Sequence, residues 1–241
     1  MNLTIDIGNT RAKLTAFEDG DPTETVITDN KALTGLKDFA TKHSFSHVIV
    51  ANVTDIAPEG RESIDSLGLP VLWFNPDTPG PLIQNTYRPP RTLGADRLAA
   101  VVGAVSLNPQ RDLLIIDAGS CITYDLVDSR GSYLGGNISP GLHMRLMAMH
   151  EHTGRLPLVE AEGSIPPVGY DTETAIRSGA VLGIQHEVAG TIQAMRLKRP
   201  SLGVYLTGGD HLIFDASTKS IIKTDSHLVA IGLNCILEHN L

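Results

Sequence analysis

Cysteine is scarce in this sequence: Cys121 and Cys235 are the two cysteines among 241 residues. They form no C-x-x-C pair, so the sequence predicts neither a disulfide framework nor a zinc site, and a reducing compartment is the simplest interpretation. No apolar run reaches the length of a membrane span. The N-terminal residues are too polar for the apolar region of a signal peptide. We therefore expect a soluble, cytoplasmic protein that contacts no membrane.

Basic residues are outnumbered: 19 lysines and arginines stand against 27 aspartates and glutamates, for a net charge of −8. A chain this acidic is a poor candidate for tracking a nucleic-acid backbone, so we expect no nucleic-acid partner. An anionic substrate would instead be met by a few local cations and backbone N–H groups. The shares of apolar residues (41%) and charged residues (19%) exclude a disordered chain, a collagen and a coiled coil.

Two familiar nucleotide-binding signatures are missing. The sequence contains neither the Walker A pattern G-x-x-x-x-G-K-[ST] nor the pattern G-x-G-x-x-G, which excludes a P-loop and a Rossmann-type dinucleotide site. His143, His150 and His152 do not have the H-E-x-x-H spacing, so they are interpreted as surface or core histidines and not as zinc ligands.

The sequence does contain a pattern that occurs twice. Each copy consists of an apolar strand that ends in Asp-x-Gly, a small polar residue and a second strand. An offset of 111 residues aligns Asp6 with Asp117 and Gly8 with Gly119. A chance match of short motifs is the alternative, but an internal duplication of two α/β units explains the pattern better.

The polar stretch at residues 108–112 separates the two copies, so we predict domains at residues 1–110 and 111–241. The proline-containing residues 75–93 are predicted to form a loop. Apolar periodicity and end signals predict helices at residues 31–42, Ala95–Leu107, Leu142–His150, Asp171–Leu197 and Leu228–Glu238.

Four glycine-containing turns follow predicted strands, and each carries small polar or acidic residues. Glycine lets backbone N–H groups approach an anion closely, and the two aspartates, Asp6 and Asp117, can hold a hard cation. A hairpin could turn Lys13 back toward a phosphate. Together these features predict a nucleotide phosphate clamp with a metal, although each turn alone is more often only a turn. The turns lie at Asp6–Thr10, Asp117–Ser120, Gly135–Asn137 and Thr207–Asp210.

The segment from Gly94 to Arg97 places an acid and a base at the start of a predicted helix. The helix dipole favours an ionised Asp96, and a carboxylate can accept a hydroxyl proton during phosphoryl transfer. Arg97 can pair with a carboxylate or a phosphate. Standing alone, the segment would be interpreted as an N-terminal helix acid beside a surface charge.

Taken in order, these motifs resemble the type III pantothenate kinases over nearly the whole chain. The resemblance implies an α/β fold of two duplicated ribonuclease-H-like domains, as in the acetate and sugar kinase/Hsp70/actin superfamily, with nucleotide between them. It implies ATP-dependent phosphorylation of the pantothenate hydroxyl, the first step of coenzyme A synthesis. The segments that carry it are Asp6–Thr10 with Lys13, Gly94–Arg97, Asp117–Ser120 with Thr123 and Asp125, Gly135–Gly141, Met147–Glu151, Leu156–Pro157 and Thr207–Gly209.

The resemblance also implies roles for individual residues. Asp96 would be the proton acceptor, and Asp117 would ligate a monovalent cation, potassium or ammonium, while Mg²⁺ would accompany ATP. Ser120 stands where the family usually has threonine and would keep a hydroxyl contact to ATP. The ATP contacts would be Asp6, Ile7, Gly8, Asn9, Thr10, Arg11, Ala12, Lys13 and Ser120, and the pantothenate contacts would be Tyr87, Gly94, Ala95, Asp96, Arg97 and Thr172.

The resemblance further implies a homodimer with its sites near the subunit interface. Thr174 is a rival to Thr172 as the pantothenate contact. Two other functions stay open at this point: another small-molecule kinase of the same superfamily, and a non-catalytic relative that regulates transcription.

Overall fold

The computed structural model describes residues 1–209, 214 and 216–241. Asp210, the last residue of the fourth predicted glycine turn, lies outside the described residues. Two β-sheets organise the fold, and each is built around one copy of the repeated motif.

The first sheet has five strands in the order β3-β2-β1-β4-β5. Strand β1 pairs antiparallel with β2 and parallel with β4, and β4 pairs parallel with β5. The apolar residues of β1 are fully buried, because they lie in a core that includes residues of the helices packed on this sheet. The strands are β1 (Asn2–Ile7), β2 (Arg11–Glu18), β3 (Asp21–Asp29), β4 (His47–Asn52) and β5 (Val71–Phe74).

The second sheet has the order β11-β10-β7-β8-β9-β6. Its first five strands, taken as β9-β8-β7-β10-β11, repeat the strand order of the first sheet. Strands β7 and β9 begin 111 residues after β1 and β3, respectively, which matches the predicted repeat. The strands are β6 (Gln84–Asn85), β7 (Leu113–Ala118), β8 (Cys121–Val127), β9 (Ser132–Pro140), β10 (Gly203–Gly208) and β11 (Ile222–Thr224).

Two helices that pack with the first sheet cross each other at glycines. A Cβ on Gly103 would collide with the carbonyl oxygen of Leu228, and a Cβ on Gly232 would collide with the carbonyl oxygen of Ala99. Glycine is therefore required for this close backbone approach. The helices are α3 (Ala95–Leu107) and α7 (Leu228–His239), and α1 (Leu36–Lys42) and α2 (Pro58–Asp65) complete the set around this sheet.

The longest helix, α5 (Thr172–Lys198), begins at a capping box. Asp171 accepts a hydrogen bond from the backbone N–H of Thr174 at 2.8 Å, and the Thr174 hydroxyl accepts one from the backbone N–H of Asp171 at 3.2 Å. Helix α4 (Leu142–Glu151) packs against α5 through Leu146 and Ile176, and the remaining helix is α6 (Ala216–Lys219).

The residue contacts divide the chain into two compact units. The first contains Met1–Arg111, Asp125–Gly135 and Ser226–Leu241, and the second contains Asp112–Tyr124 and Gly136–Asp225. Packing units of this kind are not the same as the duplicated sequence segments, so the domain bounds 1–110 and 111–241 stay a prediction.

Helix α3 has the predicted bounds, and the other predicted helices occur with ends shifted by a few residues, most of all α1, which begins at Leu36. Sequence analysis did not predict β3, α2, α6 or β11. The predicted loop at residues 75–93 contains the short strand β6 and a 3₁₀ turn at Pro90–Thr92. Among the described residues, no helix has both the length and the apolar character needed to cross a membrane.

Candidate functional site

The turn between β1 and β2 carries the first predicted phosphate-binding segment. Asp6 and Lys13 are direct cross-strand partners, so their side chains lie on the same face of the sheet. The backbone N–H of Gly8 donates to the carbonyl oxygen of Arg11 at 3.0 Å and closes the turn. Asn9 and Thr10 are exposed, so this end of the hairpin reaches the surface.

Asn30, which sequence analysis did not single out, holds this turn from outside. Its Nδ2 donates to the carbonyl oxygens of Gly8 at 3.0 Å and Asn9 at 2.7 Å. The preceding Asp29 is hydrogen-bonded by the side chain and backbone of Thr34 and by the backbone of residues 31 and 32, which lowers the pKa of Asp29 well below its usual value. The ionised carboxylate of Asp29 thus holds the backbone of residues 31–34, and the neighbouring Asn30 holds the turn at Gly8 and Asn9.

In the second unit, two glycines let chain segments meet at the carboxyl ends of β7 and β10. The backbone N–H of Gly119 donates to the carbonyl oxygen of Cys121 at 3.0 Å, which shapes the turn after β7. A Cβ on Gly141 would collide with the carbonyl oxygen of Gly119, and a Cβ on Gly208, at φ +106°, with that of Ala118. The glycines are needed because the backbones approach so closely.

Asp117 lies in this turn region and is aligned with Thr207 of the neighbouring strand β10. Within the described ranges, no group of three or more histidine, cysteine, aspartate or glutamate side chains could hold a metal. The Asp117 carboxylate and the Thr207 hydroxyl are both oxygen donors, which suit a hard cation and not a zinc ion. The residues present therefore fit the predicted monovalent cation.

Asp96 lies in the first turn of α3, behind the N-cap residue Gly94. Its Oδ1 accepts a hydrogen bond from the backbone N–H of Arg97 at 2.8 Å. Burial raises the pKa of Asp96 above its usual value, and the negative charge of Asp125 adds to the rise, while the N–H and the positive charge of Arg97 oppose it. A partly buried carboxylate with a raised pKa is the kind of group that can accept a proton.

Arg97 is buried, with 6% of its side chain exposed, and it forms an ion pair with Asp125, of which 1% is exposed. Asp125 Oδ1 accepts from Arg97 Nη2 at 2.6 Å and from Nε at 3.0 Å, and Oδ2 accepts from Nε at 3.2 Å. Burial works against the charged guanidinium, but the hydrogen bonds and charge of Asp125 outweigh it and raise the pKa of Arg97. The arginine is therefore not the surface charge that the isolated motif allowed.

Two tyrosines surround this ion pair. The Tyr133 hydroxyl accepts from Arg97 Nη2 at 3.1 Å and donates to Asp125 Oδ1. Tyr87 meets the Tyr133 ring edge-on with centroids 5.8 Å apart, and its own centroid lies 5.8 Å from Arg97 Cζ. Burial, and then the charge of Asp125, raise the pKa of Tyr133, so this hydroxyl stays protonated and able to donate.

Sequence analysis named Tyr87, Asp96 and Arg97 as site residues, and the structure brings them together. The sequence alone indicated Asp125 only as part of a motif, and it did not indicate Tyr133 as a site residue. A carboxylate within the apolar strand β8 is the available signal, because buried aspartates are rare unless they are paired.

The two threonines proposed for pantothenate contact differ in their surroundings. Thr174 is 4% exposed and is held in the capping box of α5. Thr172 is exposed at the start of the same helix. A hydroxyl already committed to a cap is a poor substrate ligand, so this difference favours Thr172.

Comparisons with known proteins agree with this description. A family described as type III pantothenate kinase matches residues 2–194. A type III pantothenate kinase of Bacteroides fragilis (strain ATCC 25285) is 52% identical over 240 residues, which cover 100% of this chain and 98% of the relative. One of Porphyromonas gingivalis (strain W83) is 42% identical over 243 residues and covers 99% and 98% of the two chains.

A solved structure of a Campylobacter jejuni protein, named for the Baf family of transcriptional activators, is 23% identical, with a TM-score of 0.60 over 99% of this chain and 98% of that one. The activator of a 2-hydroxyisocaproyl-CoA dehydratase from Clostridium difficile, solved with ADPNP, is 16% identical, with a TM-score of 0.53 over 99% and 95%. At these identities the likeness shows the fold alone. The predicted fold class is confirmed.

Proposed function

We infer, because the chain belongs to the type III pantothenate kinase family, that it transfers the γ-phosphoryl group of ATP to the hydroxyl of pantothenate. The product would be 4'-phosphopantothenate, and the reaction is the first step of coenzyme A biosynthesis. The observation that carries this conclusion is the 52% identity to a type III pantothenate kinase across the full chain.

Asp96 is the proposed proton acceptor. Its carboxylate would take the proton of the pantothenate hydroxyl as the hydroxyl oxygen bonds to the γ-phosphorus and the bond to ADP breaks. The raised pKa of Asp96 supports this role, because a more basic carboxylate holds the transferred proton better. Asp96 can accept a proton only when it is ionised, so its raised pKa moves the acid limit of activity to higher pH.

Arg97 is proposed to bind pantothenate, with Tyr87, Gly94 and Ala95 beside it. Two of its nitrogens are committed to the ion pair with Asp125. Its third, Nη1, lies at the corner of the guanidinium away from these hydrogen bonds, on a side chain that also interacts with Tyr87. We propose that Nη1 donates to the carboxylate of pantothenate, a charge-assisted hydrogen bond of the kind that arginine favours.

Asp6 to Lys13 is proposed to bind the phosphates of ATP, and Ser120 to contact the nucleotide. The opposed side chains of Asp6 and Lys13 and the closed turn at Gly8 support the first assignment. When bound with ATP, Mg²⁺ supplies positive charge that offsets the charge on the transferred phosphoryl group. Asp117 is proposed to ligate a monovalent cation, potassium or ammonium.

A homodimer is proposed, with Thr172 near its interface. Large apolar side chains of the second unit support it, because exposed apolar patches commonly mark association surfaces. These side chains are Met144, Met147, Leu158, Val168 and Tyr170, with exposed fractions of 44%, 42%, 48%, 82% and 75%. A cytoplasmic location is proposed from the sparse cysteines.

The test is a coupled assay of ADP formation with purified protein, Mg²⁺-ATP and pantothenate, with and without potassium. We expect ADP formation that depends on pantothenate and rises when potassium is added. Turnover with a sugar or acetate but not with pantothenate would favour another kinase of the superfamily. Absence of turnover with every acceptor would favour a regulatory protein.

A further inference from the structure

We propose that Asp125 and Tyr133 are positioning residues for phosphoryl transfer: together they fix the guanidinium of Arg97 so that Nη1 is held toward the substrate. This proposal rests on the proposed roles of Arg97 and Asp96. Neither Asp125 nor Tyr133 touches the reacting atoms in it; both act through their neighbours.

The hydrogen bonds fix the plane of the guanidinium. Asp125 accepts from Nε and Nη2 of Arg97 at distances of 2.6 to 3.2 Å. Because these two nitrogens lie on the same edge of a planar group, a carboxylate that binds both prevents rotation about the last side-chain bonds. The opposite corner of the guanidinium, Nη1, is then held in a set direction.

Tyr133 completes the arrangement from a second strand. Its hydroxyl accepts from Arg97 Nη2 and donates to Asp125, so it connects the two ends of the ion pair. Its ring is fully buried and is packed edge-on by Tyr87. Two strands, β8 and β9, thus hold one side chain of α3 in place.

Stability alone gives a weak reason for such a pair. Removing two charges from water is costly, and buried ion pairs are often no more stabilising than apolar residues of similar volume. Orientation of a substrate-binding group is what an apolar replacement cannot supply. The closeness of Asp96, the next residue to Arg97 in the first turn of α3, links the pair to the site.

The same pair sets the charge around Asp96. The charged groups that face Asp96 are Arg97, from its own helix, and Asp125, from β8, together with the backbone N–H groups at the start of α3. If Asp125 is neutralised, Asp96 loses a neighbouring negative charge and feels the positive charge of Arg97 more strongly. The pKa of Asp96 then falls, so the acid limb of the activity profile moves to lower pH.

The experiment compares Asp125→Asn and Tyr133→Phe with wild type in steady-state kinetics, with pantothenate and ATP varied separately. We expect Asp125→Asn to raise the KM for pantothenate about tenfold or more, and Tyr133→Phe to raise it about threefold. Both increases would report weaker binding of pantothenate. The KM for ATP should change by less than about twofold, and the acid limb of kcat/KM for pantothenate should move to lower pH in Asp125→Asn.

Glu187→Gln is the matched control. Glu187 also accepts hydrogen bonds from an arginine and a tyrosine, Arg145 and Tyr124, but it belongs to the second unit and is not proposed as a site residue. We expect it to lower stability without changing the KM for pantothenate or the acid limb. Thermal unfolding of every variant shows that the kinetics are measured on folded protein.

The variant Arg97→Gln distinguishes failure of the positioning role of Asp125 and Tyr133 from failure of the proposed pantothenate-binding role of Arg97. If Arg97→Gln raises the KM for pantothenate while Asp125→Asn and Tyr133→Phe leave it and the acid limb unchanged, the positioning role is wrong. If Arg97→Gln has no effect either, the substrate role of Arg97 is wrong, and the positioning role is wrong with it. Should Asp125→Asn not fold, Tyr133→Phe decides, since it keeps the ring and removes one hydroxyl.

Discussion

Two networks in this protein join a carboxylate to an arginine and a tyrosine, and they differ in burial. In the first unit, Asp125 pairs with Arg97 at side-chain exposures of 1% and 6%. In the second, Glu187 pairs with Arg145 at exposures of 31% and 22%. Water screens the second pair and is excluded from the first, so the same residue types interact at very different effective dielectric constants.

Glu187, within the second network, and Asp96, beside the first, have opposite pKa shifts. Burial opposes the charged form of Glu187, but hydrogen bonds from Ser139, Arg145 and Tyr124 outweigh it and lower its pKa. Beside the first network, burial wins at Asp96 and raises its pKa. The comparison teaches that burial with few hydrogen-bond donors raises the pKa of a carboxylate, whereas three side-chain donors lower it despite burial.

The largest expected difference between the two regions is catalytic. Asp96→Asn should lower kcat by about 10²- to 10⁴-fold, because the amide cannot accept the hydroxyl proton. The matched control is Asp38→Asn, which changes an exposed acid in the first turn of α1 in the same way. Steady-state assays that find Asp96→Asn within a few-fold of wild type would locate the base elsewhere.

The next difference is in stability. Asp125→Asn leaves a buried guanidinium without its charged partner, so it should lower the free energy of unfolding by roughly 3–5 kcal/mol. Glu187→Gln should lower it by about 1–2 kcal/mol, because water compensates part of the loss. Urea unfolding checks both; equal losses would mean that burial does not distinguish the networks.

Removing the tyrosine hydroxyl of each network, at Tyr133 and at Tyr124, should give smaller losses of unfolding free energy. Tyr133→Phe should cost about 1–1.5 kcal/mol of unfolding free energy, because its hydroxyl bridges Arg97 and Asp125 in a buried site. Tyr124→Phe, which removes one hydrogen bond to Glu187, should cost about 0.5 kcal/mol. A larger loss of unfolding free energy for Tyr124→Phe than for Tyr133→Phe would contradict this prediction.

The smallest expected effect is the pH dependence of stability, and its sign differs between Glu187 and Asp96. The folded-state pKa of Glu187 lies below the ordinary 4.5, so its stabilisation is present above that pH and is lost as pH falls through the folded-state pKa. The folded-state pKa of Asp96 lies above the ordinary 3.8, so its ionisation destabilises the fold as pH rises.

Thermal unfolding between pH 3 and pH 7 can test this pair of signs. The stability gap between wild type and Glu187→Gln should narrow toward the acid end. Asp96→Asn should gain stability relative to wild type toward neutral pH. The same trend in both variants would contradict the opposite pKa shifts.

Much of the fold could be predicted because it repeats. The apolar strand followed by Asp-x-Gly marks both β1 and β7, and small apolar residues after Gly94 define α3. Strand β3 escaped prediction because its residues alternate between exposed and half-buried and are mostly polar. Helix α2 buries only Gly60 and Ile64, which is too few apolar positions for a clear period.

The candidate site was predicted only where its residues are adjacent in sequence. Asp96 and Arg97 are neighbours at a helix start, which is a local signal. Asp125 and Tyr133 come from two later strands, and only the folded chain brings their side chains to Arg97. Asn30 escaped for the same reason, because its contact with Gly8 spans 22 residues.

The most direct measurement of the central claim is phosphorus NMR of wild-type protein with Mg²⁺-ATP and pantothenate, beside an identical sample of Asp96→Asn. We predict that the γ-phosphate signal of ATP disappears in wild type while a phosphomonoester signal of equal intensity appears, and that Asp96→Asn gives neither change on the same timescale. Release of free phosphate in place of the phosphomonoester, or equal phosphomonoester formation by Asp96→Asn, would contradict the account.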